Sequence, residues 1–147
     1  MRDDLPIELT REVRDACLCL HIQRAARAIA RRFDDVLRPV GLTNGQFSLL
    51  MSLNRPEPPT ISSVSSLLAM DRTTLTANLK PLERRRLVKV TVDEADRRSR
   101  RLSLTPEGQD VLAKAVPLWS ACQVENARLL EAPENLDNLL AELRALS

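Results

Sequence analysis

Between Asp71 and Gly108 the spacing of apolar residues changes twice, and this change constrains the fold more than any other feature of the chain. Leu75, Leu79 and Leu82 recur at helical intervals behind Asp71, a good N-cap. The pattern then shortens to alternation in "LVKVTV" and again in "RRLSLT", the period of two strands. "TPEG" restarts a helix: Thr105 caps it, Pro106 suits the first turn, and Glu107 meets the positive helix end. A helix, a hairpin and a second helix must therefore pack together within one short stretch.

The turn of that hairpin is chemically unusual. Arg97, Arg98, Arg100 and Arg101 place four arginines within five positions. Mutually repelling guanidiniums at an exposed tip suit a polyanion, and a narrow minor groove concentrates the negative potential that draws arginine in. Asp96 lies two residues before Arg98 and is expected to hold that guanidinium in position. The alternative is a turn that merely aids solubility.

The rest of the pattern is helical. Cys19, Ile22, Ala26, Ile29, Phe33, Val36 and Val40 recur at spacings of 3 and 4, which predicts one helix over residues 12–38. Pro39 and Gly41 end it. A second helix is expected over 44–54, with Phe47, Leu50 and Met51 inward. After the proline-rich "NRPEPPT", a third runs from Thr60 or Ser62 with Ile61, Val64, Leu67 and Leu68 on its apolar side. Only two or three residues separate it from the Asp71 helix, which is a helix-turn-helix arrangement. Downstream, Leu112, Ala115, Trp119 and Cys122 share a face, and Pro117 is expected to kink their helix. A last helix over 133–146 carries Leu136, Leu139, Leu140, Leu143 and Leu146.

The predicted fold is mainly α with a small β-hairpin wing: a winged helix-turn-helix flanked by terminal dimerisation helices. Residues 1–43 and 106–147 are expected to form the dimerisation layer and 44–105 the nucleic-acid-binding domain. Aromatics are only 2% of the 147 residues, so the core must come from aliphatic side chains. The net charge is +2, but residues 71–105 hold ten Lys/Arg against five Asp/Glu. A basic block in a near-neutral chain points to a local anionic partner. Three cysteines without zinc or disulfide spacing, and no long apolar run, imply a reducing, cytoplasmic setting with no membrane association. One histidine, no glycine-rich phosphate loop and no metal-ligand cluster argue against an enzyme, a metal or a cofactor.

With Leu75 at the centre of the buried face of its helix, Thr73, Thr76, Ala77, Lys80 and Arg84 fall opposite at 100° per residue. Arg72 and Thr74 at the same helix start are assigned with them. Short side chains permit approach to base edges, while Lys and Arg reach phosphates or guanine. The predicted DNA-binding set is therefore Arg72, Thr73, Thr74, Thr76, Ala77, Lys80 and Arg84 on the helix, with Asp96, Arg97, Arg98 and Arg100 on the wing. An ordinary solvated helix face is the bland alternative, and the arginine hairpin weighs against it.

These motifs resemble the MarR family of bacterial transcriptional regulators. The resemblance rests on Asp96-x-Arg98, on Leu102, Leu104, Thr105 and Gly108 in "L-x-L-T-x-x-G", and on Gly41, Leu42, Thr43, Gln46, Phe47, Leu49 and Leu50 in "GLT" and "Q-F-x-L-L". It covers roughly residues 15–145. It implies a homodimer with intertwined terminal helices, one winged domain per subunit and a regulatory cleft between the two layers. Such a dimer is expected to bind a pseudo-palindromic duplex DNA operator and a small anionic or aromatic effector. His21 and Arg24, with Arg27 and Arg31, are candidates to line an anionic-ligand cleft, and a solvated or salt-bridged helix face is the alternative. The chain departs from the family pattern at Arg86, where a glycine is usual, so the helix end there is expected to be made differently. Pro81, inside the recognition helix, removes a hydrogen bond to Ala77.

The expected function is a repressor released by its effector. An alternative is peroxide sensing: Cys19 resembles the reactive cysteine of the family's hydroperoxide-sensing branch, and Cys122 its resolving cysteine. That branch supports its thiol with tyrosines, and here Phe33 and Asn44 stand at the matching places. Cys19 on an apolar stripe also reads as a plain buried thiol. A winged-helix protein-interaction module is the remaining alternative.

Overall fold

The computed structural model describes Arg2 and residues 4–147. In chain order its elements are α1 (Ile7–Ala16), α2 (Leu18–Leu37), α3 (Asn44–Ser52), α4 (Ile61–Leu68), α5 (Arg72–Arg84), β1 (Val88–Val92), β2 (Arg100–Leu104), α6 (Pro106–Ala127) and α7 (Leu136–Ala145). Short 3-10 turns follow α2 and precede α7. The two strands pair antiparallel, Val88 opposite Leu104 and Val92 opposite Arg100.

The sequence explains the junctions. Gly41 takes a left-handed conformation, φ 68°, that turns the chain out of the 3-10 segment. Thr43 and Gln46 then form a reciprocal capping box: the Thr43 hydroxyl accepts from the Gln46 N–H, and the Gln46 side chain accepts from the Thr43 N–H. Thr60, Asp71 and Thr105 cap α4, α5 and α6 in the same way, each accepting from a backbone N–H three residues on.

One aliphatic core joins the helix-turn-helix to α2 and α6. Leu37, Leu49, Leu50, Val64, Leu75, Leu82 and Leu102 are fully buried, with Phe33, Phe47, Leu79, Leu112, Ala115 and Cys122 around them. Each such leucine contributes about 1.5–3 kcal/mol of burial. The predicted stripe of α5 is thus the stripe observed. Gly108 is buried where α6 starts, because a Cβ there would lie 2.0 Å from the carbonyl oxygen of Leu87.

Several expectations change. The single helix over 12–38 is two helices. Cys17 leaves the helical region (ψ 106°) and separates α1 from α2, in a segment that buries no residue of α1. Met51 is 41% and Leu67 60% exposed rather than inward, and Leu49 takes the core position beside Leu50. Trp119 is partly exposed and stacks on Phe47 at 6.0 Å. The helices run on through Pro81 and Pro117. At Arg86 the helix end is made in the usual way after all: Arg86 itself adopts φ 57°, its N–H bonds Glu83 O, and the Leu87 N–H bonds Leu82 O at 2.9 Å. Cys19, expected on the buried side, is exposed, and no residue in the N-terminal half of α2 is buried.

Candidate nucleic-acid interface

The helix-turn-helix is built from α4 and α5. Ala69 closes α4 in a left-handed conformation, φ 48°, and Met70 N–H bonds back to Ser65 O at 3.1 Å. Asp71 then starts α5, accepting from the Thr74 N–H at 2.8 Å and from its hydroxyl at 2.9 Å. The Thr74 N–H, and after it the hydroxyl, hold the Asp71 carboxyl below the usual carboxylate range. Because Leu75, Leu79 and Leu82 are anchored in the core, Thr73, Thr76, Ala77, Lys80 and Arg84 all point outward and are exposed. Arg72 and Thr74 are exposed too but engaged: Arg72 donates to Ser62 Oγ at 3.3 Å, and the Thr74 hydroxyl serves the cap.

The tip between β1 and β2 spans residues 93–99, so it holds Arg97 and Arg98, while Arg100 and Arg101 belong to β2. Asp96 works differently from its expected role. Its carboxylate accepts from the backbone N–H of Arg98 at 3.0 Å, shaping the turn rather than gripping the guanidinium. Short Asp side chains favour such local turns over reaching a long arginine head. Among the described residues neither the Arg97 nor the Arg98 guanidinium has an ion-pair or hydrogen-bond partner. Arg100 donates to the carbonyls of Arg97 and Ser99, at 3.0 and 3.1 Å.

Sequence reasoning missed Asp93. It is buried at the end of β1, its Oδ1 accepts from the Ala95 N–H at 2.9 Å, and its Oδ2 accepts from Arg101 Nε at 2.8 Å. The Ala95 N–H, then the Arg101 charge, pull its carboxyl below the usual range against the opposing effect of burial. Counting Arg101 as one of four tip arginines hid the signal. Strand alternation and its place opposite Thr91 set it apart.

The winged helix DNA-binding domain family matches residues 42–108, from the turn before α3 to the start of α6. The HTH-type transcriptional regulator SarZ of Staphylococcus epidermidis is 32% identical over 94 residues, a stretch covering 64% of this chain and 64% of SarZ. The M. tuberculosis transcriptional regulator MosR in complex with DNA superposes with a TM-score of 0.73 at 36% identity, over 88% of this chain and 98% of that one. The transcriptional repressor CouR, bound to a 23-mer DNA duplex, gives a TM-score of 0.79 at 30% identity, over 92% and 94%. The chain belongs to the MarR family.

In this MarR-family chain the exposed basic residues Lys80 and Arg84 lie on the outer face of α5, and Arg97 and Arg98 lie at the wing tip. The positions named for a cleft or for thiol chemistry lie elsewhere. His21 and Arg24 are exposed on α2, and His21 Nε2 sits 3.1 Å from Asp15 O. Cys19 accepts from Gln23 Nε2 at 3.2 Å, whereas Cys122 is buried in α6 beside Asn126, whose amide lies 3.4 Å from its sulfur. Two apolar grooves mark this MarR-family chain. One, about 480 Å³, lies between α3, α4 and α6 and includes Phe47, Met51, Arg55, Leu67 and Trp119. The other, about 590 Å³, lies between α2 and α6 and includes Arg32, Val36, Leu118 and Cys122. Among the described residues no helix is long and apolar enough to cross a membrane.

Proposed function

We propose that this chain is a homodimeric, cytoplasmic repressor that binds a pseudo-palindromic duplex and is released by a small anionic or aromatic effector. Residues 44–105 contact DNA, and 1–43 with 106–147 form the dimer layer. The observation that carries this reading is the disposition of the wing: Asp96 is turned to the backbone, so the Arg97 and Arg98 guanidiniums stay unneutralised beside the Thr- and Lys-bearing face of α5. Such cations cost repulsion unless a polyanion meets them. The chain acts by binding rather than as an enzyme. The contacts are Thr73, Thr76 and Ala77 toward base edges, and Lys80, Arg84, Arg97, Arg98 and Arg100 toward phosphates or the minor groove, with Arg72 and Thr74 supporting the helix start.

Selection from random duplexes with the purified protein, followed by anisotropy titrations at several salt concentrations, tests it. The expected result is an enriched inverted repeat with half-sites about one helical turn apart and affinity that falls steeply with salt. No enrichment and no salt-dependent duplex binding would instead leave the protein-interaction module. The effector reading is supported by the groove of about 480 Å³, where the partly exposed Trp119 ring and the Arg55 guanidinium suit a planar anion. His21 and Arg24 line neither groove.

A thiol-sensing reading of the same fold gains one observation: Cys19 is exposed and receives a hydrogen bond from Gln23. If it holds, organic peroxide releases DNA from the wild type, Cys19→Ser blocks release, and oxidation joins Cys19 to Cys122. The effector reading expects peroxide release to be absent or independent of Cys19.

A further inference from the structure

One side chain joins the wing to the helix-turn-helix. Arg101 lies in β2, and its guanidinium has partners in two segments of the chain. Nε donates to the buried Asp93 carboxylate at 2.8 Å, while Nη1 donates to the carbonyl of Pro58 at 2.8 Å. Pro58 belongs to the loop that delivers the chain into α4. Beside this contact the Leu102 N–H bonds Pro59 O at 2.9 Å, and Thr60, the cap of α4, pairs with Arg101 as an isolated bridge. Pro56, Pro58 and Pro59 fix three φ angles in this short loop. Asp93 closes the hairpin as well, since its N–H bonds Ser99 O at 3.1 Å. Both carboxylate oxygens are thus engaged from within the protein, with Ala95 N–H on one and Arg101 on the other.

We propose that Arg101 is a positioning residue: shared between the Asp93 carboxylate of the wing and the Pro58 carbonyl of the loop entering α4, its guanidinium sets the wing against the recognition unit and leaves the wing's DNA contact to Arg97, Arg98 and Arg100. This rests on the DNA-binding reading above. It separates two kinds of arginine within one basic run. Arg97 and Arg98 are exposed and carry charge to a ligand; Arg101 is half-buried and its charge is spent on Asp93. A planar fork is needed because the two acceptors lie in different segments of chain, and lysine would offer a single point of charge.

The test uses the full-length protein with its selected duplex and the variants Asp93→Asn, Arg101→Gln and the double variant. Asp93→Asn removes a negative charge from a DNA-binding wing, so on charge alone it binds the same or tighter. The positioning role expects the opposite: a loss of about tenfold, comparable to removing a single base-reading interaction. The double variant is expected to bind no worse than Arg101→Gln, because both changes open one link. In nitrogen-15 spectra of the DNA-free protein, a slowly exchanging Arg101 Nε–H signal should vanish in Asp93→Asn while the Arg98 signal stays unmoved. Circular dichroism establishes that each variant is folded; should Asp93→Asn not fold, Arg101→Lys replaces it, keeping charge and expected to lose affinity like Arg101→Gln. Wild-type affinity or better in Asp93→Asn, unchanged binding by Arg101→Lys, or a further loss in the double variant would overturn the proposal alone. A wild type that binds no duplex would overturn the DNA-binding reading and this proposal with it.

Discussion

Two residues hold a backbone conformation that their side chains resist. Ala69 and Arg86 end α4 and α5 at φ 48° and 57°, in the left-handed region where a Cβ crowds the carbonyl oxygen. Replacing Arg86 with glycine removes that cost while keeping the bonds from Arg86 to Glu83 and from Leu87 to Leu82. Arg86→Gly should therefore raise stability by about 0.5–1 kcal/mol, after allowing for the extra entropy glycine brings to the unfolded chain. Arg86→Ala should give no such gain. Urea titrations of the three proteins decide it. Gly108 is the converse. Its missing Cβ is what lets the start of α6 sit on Leu87, so Gly108→Ala should cost the upper part of about 1–3 kcal/mol through forced backbone movement. Little of this was legible in the sequence. The Arg86 departure stood out there, but whether the backbone or the helix end would give way depended on packing between Leu82 and Leu87, which no local pattern encodes. Cys17 shows the same limit, since a helix break without glycine or proline leaves no mark in the apolar spacing.

At the scale of elements, the recognition helix and the wing should fail in distinguishable ways. Lys80→Ala should weaken all duplexes evenly and reduce the salt slope by about 1, whereas Thr73 or Thr76 substitutions should change base preference by about 1–3 kcal/mol for each base-edge interaction they remove. Anisotropy at three salt concentrations separates the two. Arg98→Ala should cost affinity with the unfolding transition unchanged, because that side chain is exposed and makes no hydrogen bond or ion pair among the described residues. Acid acts on the same elements. The Asp71 and Asp93 carboxyls titrate lower in the folded chain than in the unfolded one, near 3.9. Their contribution is therefore present above that value and is lost as pH falls through the folded pKa values. Asp93→Asn should be less stable than wild type at pH 7, and the gap should close below about pH 4; thermal midpoints across that range measure it. The elements themselves were readable because apolar period and cap agreed: Leu75, Leu79 and Leu82 behind Asp71, the alternating strands, and Thr105 before α6. The Asp93–Arg101–Pro58 link was not, because Pro58 and Arg101 are 43 positions apart and meet only when the hairpin folds back on the loop.

Across the whole molecule, the described chain is finished in the middle and unfinished at its ends. No residue of α1 or α7 is buried; Leu9, Val13, Leu18, Ile29, Leu139, Leu143 and Leu146 lie open to solvent. Apolar faces of that extent call for a cover, and a second copy provides it in the proposed dimer. The protein should sediment as a dimer at micromolar concentration, and Leu139→Glu with Leu143→Glu should yield a monomer or an aggregate. A compact wild-type monomer in sedimentation velocity would remove the dimer layer from the reading. The separation of pairing surface from DNA surface also has a genetic consequence. In a cell with both alleles, an Arg98→Ala subunit with intact terminal helices would still pair with wild-type subunits and spoil them. Such a lesion should be dominant, whereas damage to α7 alone, unable to recruit a partner, should be recessive.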